Sequence, residues 1–506
     1  MRRLASTGGL KSSIAMMALT GGLSACTVGP NYRPPTNADL GVPAAYSTPN
    51  GVATASAGTA DPQALAAYWR AFSDPALDAL IARAIDANLD IVQAQARLRQ
   101  ARESLVQANA AFLPSLNASG SGGKNFRSPA GGTRVDSSGN VISTGASNWS
   151  SSYSIGGSAS WQLDLFGELS RSAEAARANL AASGYDLAAV RTSIIAELVT
   201  NYVQTRLAQE QLRIAKETQA TQQDNYDIAR WRLQAGLVSS LDEQQARAQL
   251  AQTSATVPQI EASLRSSLNR IAVLTGQAPG EATRALETPA PIPAAPDAIT
   301  AGIPADTLRQ RPDVRAAERT LAAATARIGV AQAQLYPALG ISGNLSTTSN
   351  AFRDLFSLIT GGVFANLSQV IFDGGRLRSQ VRSQRAATDA AFAAYKASVL
   401  GALEDIENAI ASLNSARERE AQFAVAFDAA DNAAILARSQ YRAGLTDFQT
   451  LLQTEQSLLS ARNSLAGAHG DRALALVQLY NAMGGGWQDM NLDAAGLSAA
   501  TNGNRQ

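Results

Sequence analysis

Two stretches of the chain, Glu168 to Ala235 and Arg376 to Ala443, each run for 68 residues without a proline. If helical, such a segment extends about 100 Å at about 1.5 Å per residue. In the first, Leu169, Ala173, Ala176, Leu180, Ser183, Leu187, Val190 and Ile194 recur at alternating spacings of four and three. That is a heptad-type seam. Its small residues let helices lie close together, in an antiparallel coiled coil or in the wall of a helical tube. Each stretch closes on a glycine, in "LQAGLVSSLDEQQ" at Gly236 and in "YRAGLTDFQTLLQ" at Gly444. Glycine just after the last helical residue suits a left-handed C-terminal cap. Ser239, Ser240, Thr446 or Asp447 can then cap a returning helix. The pattern predicts two helical hairpins whose tips lie about 100 Å from where the long helices start.

The two stretches are halves of an internal repeat. "DIVQAQARLRQARESLVQANAAFLPSL" from Asp90 aligns without gaps on "DVRAAERTLAAATARIGVAQAQLYPAL" from Asp313, 223 residues later. Further on, "FGELSR" from Phe166 matches "GGRLRS" from Gly374 at a spacing of 208, and the two glycine tips share that spacing. About 15 extra residues therefore fall between Pro114 and Gly167. The polar run "GGKNFRSPAGGTRVDSSGNVIS" accounts for them and reads as an exposed loop. Each half is expected to run helix, two strands, long helix, tight turn, helix. Between the halves, "GQAPGEATRALETPAPIPAAPDAITAGIP" carries prolines that exclude continuous helix. The boundaries follow: a leader over 1–25, an N-terminal segment over 26–75, repeat 1 over 76–276, a proline-rich linker over 277–305, repeat 2 over 306–485 and a tail over 486–506.

"YSIGGSASWQLDLF" from Tyr153 alternates. Tyr153, Ile155, Ala159, Trp161, Leu163 and Leu165 share one face, while Ser154, Ser158, Ser160, Gln162 and Asp164 share the other. Val363, Ala365, Leu367 and Ile371 form the matching apolar face in the second half, and "LGISGNLS" from Leu339 alternates too. A soluble sandwich has this pattern. So does an outer-membrane barrel, apolar outside and small and polar within. Four strands cannot close a barrel, and lipid does not tolerate open strand edges, so in a membrane several chains would have to share one.

"MRRLASTGGLKSSIAMMALTGGLSA" has the basic start and short apolar core of a secretory leader. Removing it takes away Arg2, Arg3 and Lys11, leaving 39 basic against 41 acidic residues and no electrostatic reason for a nucleic-acid partner. The chain holds a single cysteine, Cys26, and a single histidine, His469, so soft metal ligands are scarce and no metal or other cofactor is expected. No phosphate-binding Walker loop or G-x-S-x-G elbow is present, and His469 reads as a solvated or packed side chain. "LSAC" ends the leader as a lipobox. Cleavage before Cys26 would leave it carrying thioether-linked diacylglycerol and an N-acyl group, enough buried chains for stable anchoring. The proline-stiffened "TVGPNYRPP" that follows reads as an extended tether.

In "CTVGPNYRPP", "LRQRPDVRAAERTLAAATARIGVAQAQLYPAL", "WQLDLFGELSR", "IFDGGRLRSQ" and the paired "AGL" tips, the chain resembles TolC-like outer membrane factors, over essentially its whole mature length. The likeness is to the lipoprotein (NodT-type) branch that works with resistance–nodulation–division efflux pumps. It implies an α+β membrane protein and a homotrimer, with a 12-stranded outer-membrane β-barrel, four strands per chain, continuous with a periplasmic α-helical barrel. It implies a passive, non-enzymatic exit duct for drugs or other small molecules. A periplasmic adaptor would dock at the tips Gly236, Leu237, Gly444 and Leu445, itself bound to an inner-membrane transporter. Carboxylates line the tunnel mouth in this family. Here Asp242 and Glu243 stand in the first returning helix, while Thr450 and Gln453 occupy the usual acidic positions of the second. A three-fold ring of Asp242 would favour cations at a constriction; otherwise Asp242 is a solvated acid at a helix start. The competing readings are the duct of a type I protein secretion system and a structural coiled-coil lipoprotein without a channel.

Overall fold

The structure, a computed structural model, describes residues 27–43, 65–127, 133–135, 137–143, 148–281, 286–294 and 308–490. Cys26 and the leader before it lie outside the described residues, as do 282–285 and 295–305 of the linker, the two residues after it and the tail from 491. In chain order the main elements are α1 (Asn37–Leu40), α2 (Pro75–Ala87), α3 (Leu89–Ala110), β1 (Ser115–Arg127), β2 (Thr133–Val135), β3 (Val141–Ser143), β4 (Asn148–Leu163), α4 (Glu168–Gln234) and α5 (Ser240–Leu274). The second half continues with α6 (Pro312–Ala333), β5 (Ala338–Ser349), β6 (Ile359–Ser368), α7 (Arg376–Arg442) and α8 (Phe448–Ala482). Lengths recur: α3 and α6 have 22 residues, α4 and α7 have 67, and α5 and α8 have 35. The chain divides into two compact units. One takes the segment up to Arg33 with Ala101–Asn179 and Thr320–Ala391; the other takes Pro34–Gln100, Leu180–Arg319 and Phe392–Gln506.

The first unit is built on an antiparallel sheet in the order β1-β4-β5-β6, with β1 and β6 as its edges. The register sets Leu116, Ala159, Gly343 and Val363 in one cross-strand row and Ala118, Gly157, Leu345 and Gly361 in the next. Because side chains alternate, these rows share a face. That face leaves its large apolar groups in the open: Leu116 and Val363 are each 81% exposed. The other face carries small polar groups, where the hydroxyls of Ser115 and Ser160, and of Ser121 and Ser154, meet at 2.8 Å. Two expectations need correcting. The polar run after Pro114 is not simply a loop: β1 continues through "GGKNFR" to Arg127, which pairs with Asn148, and β2 and β3 form a separate small hairpin beyond it. Its Gly and Ser residues suit a strand that packs no core on either side, and β4 is long enough to pair with them. Ile371 lies past the end of β6 at Ser368 and is 90% exposed, so it is not on the strand's apolar face.

Both long helices start from an aspartate beside a glycine turn. Asp164 accepts from the amides of Leu169 and Ser170 at 3.1 and 2.8 Å, and Asp373 accepts from those of Gly375 and Leu377 at 2.9 and 2.8 Å. Each carboxylate satisfies amides that the first helical turn leaves unpaired.

In the second unit, α2 begins at an Asp74 cap followed by Pro75 and buries Leu77, Leu80, Ile81 and Ala84 along one stripe. Asn88, itself buried, then serves two helix ends. Its Oδ1 accepts from the amides of Asp90 and Ile91 at the start of α3, and its Nδ2 donates to the Leu274 carbonyl at the end of α5. Along α4, Ala173, Leu180, Leu187 and Ile194 of the expected seam are buried, while Leu169, Ala176, Ser183 and Val190 are half-buried. Ala188, Ile195, Leu198, Val199 and Tyr202, outside that series, are fully buried. The packed stripe is therefore wider than one heptad seam, because α4 is covered on more than one side. The described linker residues 287–294 are irregular. Arg206 Nη1 donates to the Thr288 carbonyl at 3.0 Å and Gln209 Nε2 to that of Leu286 at 2.7 Å, pinning the linker to α4. Helix α5 continues through Pro258, at the loss of one backbone donor.

Candidate functional site: the hairpin tips

Each hairpin turns on its predicted glycine. Gly236 has φ +71° and Gly444 φ +73°, in the left-handed region. The Gly236 amide donates to the Leu233 carbonyl and the Leu237 amide to that of Arg232, both at 2.9 Å. Gly444 and Leu445 repeat the arrangement on Tyr441 and Gln440, at 3.1 and 2.9 Å. These paired reverse bonds satisfy the last carbonyls of α4 and α7. They also hold Leu237 and Leu445 out into solvent, 73% and 79% exposed. Apolar side chains presented this way at the ends of two rigid turns are available to a partner.

Of the four candidate caps for the returning helices, two are used. Ser239 caps α5 in a capping box with Asp242, whose Oδ2 accepts from the Ser239 amide at 3.4 Å. Asp447 caps α8 by accepting from the Thr450 amide at 2.7 Å. Hydrogen bonds from Thr450 hold the Asp447 carboxyl below its ordinary pKa. Within the chain, Asp242 thus acts as a helix-start acid. Asp242 and Glu243 are half-buried, Gln453 is exposed, and among the described residues no hydrogen bond joins the three.

Just inside the tips the two hairpins meet. Ala229 of α4 and Ala246 of α5 pack with Ala437 and Tyr441 of α7 and with Phe448 and Leu451 of α8. The Arg232 guanidinium lies 4.5 Å from the Tyr441 ring, joining the long helices of the two halves. Gln249 donates to Gln456 at 2.6 Å between the returning helices. Arg438 makes a two-pronged pair with Glu455, at 2.5 and 2.9 Å, with the Glu455 side chain only 6% exposed. That contact raises the Arg438 pKa further above its ordinary value. Arg442, the arginine next to the tip, is exposed, and Arg438, one turn further in, makes the ion pair nearest this turn. The available signal was spacing: Arg438 precedes Gly444, and Glu455 follows it, by distances that bring them level across an antiparallel hairpin.

Residues 80–277 and 303–485, well over half the chain, match the family model "Outer membrane efflux protein". The chain belongs to that family. It is 32% identical over 96% of its length to Nodulation protein T of Rhizobium leguminosarum bv. viciae, covering 96% of that protein. It is also 32% identical, over 87% of its length, to the pyoverdine export outer membrane protein OpmQ of Pseudomonas aeruginosa, covering 91% of it. Among solved structures, the outer-membrane channel OprN superposes with a TM-score of 0.79 at 34% identity, over 92% of this chain and all of that one. The open-state MtrE outer membrane channel of Neisseria gonorrhoeae matches at 0.74 and 26%, over 91% and 98%. The protein therefore has the TolC-like fold, mainly helical with a small sheet. It is an outer-membrane efflux channel and not an enzyme. Its lone histidine fits that reading: His469 is about half exposed and lies 3.5 Å from Glu420, which also pairs with Arg472 at 3.0 Å.

Proposed function

We propose that three copies of the chain form the outer-membrane exit duct of a tripartite efflux pump. The observation that carries this is the sheet: one face is apolar and exposed, and among the described residues neither edge strand has a further neighbour. In lipid such edges must be paired, and three four-stranded sheets joined edge to edge make a closed 12-stranded barrel. The helices would continue it as a periplasmic tunnel. Gly236, Leu237, Gly444 and Leu445 dock a periplasmic adaptor, which connects the duct to an inner-membrane resistance–nodulation–division transporter that supplies the energy. Asp242 and Glu243, on the first turn of α5, and Gln453, on the second turn of α8, line the mouth. Cys26 carries the lipid. Relatives are named for pyoverdine export, for toluene efflux and for antibiotic efflux, so the cargo proposed here is small molecules as a class.

Native mass spectrometry of the detergent-purified protein tests the assembly: a mass of three chains is expected, and a stable monomer contradicts it. Gly236→Trp and Gly444→Trp should abolish crosslinking to the adaptor and the resistance it supports. Unchanged crosslinking removes the tips as the docking surface.

A further inference from the structure

The segment after Cys26 is fastened rather than loose. The Val28 amide donates to the Phe166 carbonyl at 3.2 Å, in the turn between β4 and α4. Arg171, one turn into α4 and only 5% exposed, reaches over the segment. Its Nε donates to the Val28 carbonyl at 3.2 Å, and its Nη2 donates to the Gly29 carbonyl at 3.3 Å and to Asn31 Oδ1 at 2.7 Å. Its Nη1 is held by Glu174 at 2.7 Å. All of these groups belong to the first unit.

Three glycines make the room. Gly29 has φ +100°, and a Cβ added there would lie 2.5 Å from the Gly329 Cα on α6. A Cβ on Gly329 would lie 2.7 Å from Arg171 Cγ, so Gly329 is also what lets the arginine stem pass. Gly167, at φ +86°, faces Thr27, and a Cβ there would fall 2.6 Å from Thr27 Cγ2. Backbone lies against backbone at Gly29 and Gly329, where only glycine fits. The notch thus takes walls from both halves of the chain: Gly167 and Arg171 from the first, Gly329 from the second.

We infer that Thr27–Asn31 is a seat that fixes the lipid-bearing residue at the junction of sheet and helix, with Arg171 as its positioning residue. This rests on the lipidation reading of Cys26 given above. Adjacent Cα atoms are about 3.8 Å apart, so with Thr27 seated against Gly167 the acylated residue is tethered one peptide link from the seat. Unseated, the nine residues from Thr27 to Pro35 form a leash reaching about 30 Å. The seat therefore sets the height at which the acyl chains enter the bilayer relative to the ends of the strands. A planar five-donor guanidinium can serve three acceptors on the segment and one on its own helix at once, which a lysine ammonium cannot match in geometry.

The test is hydrogen–deuterium exchange of the Thr27–Arg33 peptide in the purified full-length oligomer, with incorporation of labelled palmitate measured on the same samples. Wild type should show a protected Val28 amide and carry palmitate. Arg171→Ala should raise exchange of that peptide about tenfold or more, and Arg171→Lys should fail to restore protection. Gly329→Leu should loosen the segment with the arginine still present. Asn31→Ala, a change at an exposed residue that leaves folding intact, should raise exchange by a smaller factor. Palmitate labelling should stay at the wild-type level throughout, since the arginine acts on position and not on acylation. Protection unchanged in both Arg171→Ala and Asn31→Ala overturns the proposal. Wild-type protein with a protected segment and no palmitate also overturns it, by removing its premise, and leaves the channel reading untouched.

Discussion

The pair between Arg438 and Glu455 makes a sharp prediction about the second hairpin. Glu455 is 6% exposed at its side chain and Arg438 33%. Removing one partner of a fully buried pair costs about 3–5 kcal/mol, because the other charge is left without compensation. Water reaches the Arg438 end, which screens the interaction, so Arg438→Met should destabilise the hairpin by about 2 kcal/mol. That multiplies the population of the locally opened tip about thirtyfold. Hydrogen exchange of peptides covering residues 436–456 reads this directly, provided the oligomer stays intact. The reasoning predicts an ordering. Arg438→Met is worst, since it strands a buried carboxylate. The double variant Arg438→Met/Glu455→Leu recovers most of the loss, since no buried charge remains. Glu455→Leu alone falls between them, since its orphaned arginine can turn toward solvent. If the double variant opens as readily as Arg438→Met, the ion pair is not what holds the tip and the reasoning is wrong.

Further tests concern the turns and caps. An added Cβ at Gly236 or Gly444 meets nothing within 4 Å, so alanine there is opposed by backbone strain alone, about 1–2 kcal/mol per site; Asn, which tolerates the left-handed region, should cost less in the same exchange assay. Asn88→Ala removes the cap of α3 and the donor to Leu274 together, and should lower the thermal unfolding midpoint with a loss of about 2 kcal/mol. Among the described residues the buried Tyr441 hydroxyl has no hydrogen-bond partner, so Tyr441→Phe should leave stability unchanged or slightly raised, whereas Tyr441→Ala should weaken the packing against Phe448 and Arg232. Because the Asp447 pKa is lowered in the folded hairpin, its cap is fully present above the ordinary carboxylate pKa near 3.8 and is lost as pH falls through the lower folded value. Pepsin cleavage at the second tip should therefore rise at the acid end of its range in wild type, and that rise should be absent in Asp447→Asn, whose side chain still caps but does not ionise there.

Much of this architecture was legible because its signals are long. A 68-residue proline-free run with a glycine at its end leaves few alternatives, and the helices observed are 67 residues each. Strand alternation placed Ile155, Trp161 and Leu367 on one apolar face, and the structure leaves all three more than a third exposed. What escaped has a common cause: it depends on which segments meet in three dimensions. The continuation of β1 through "GGKNFR" carries no alternating pattern and is held by pairing with β4. Arg438 and Glu455 are two of many charges on helices, and only the packing that buries the Glu455 side chain singles them out. Arg171 looks like any charge at a helix start until Gly329, far along the sequence, shows why its stem fits. Pro258 argues against helix locally, yet its neighbours carry α5 past it.

The account stands on the chain being a duct, and planar-bilayer recording of the purified oligomer tests that most directly. Discrete conductance steps are predicted, with larger or more frequent openings in Asp242→Ala if that carboxylate narrows the mouth. Bilayers that contain the inserted protein yet show no conductance, in wild type and in Asp242→Ala alike, would contradict the account.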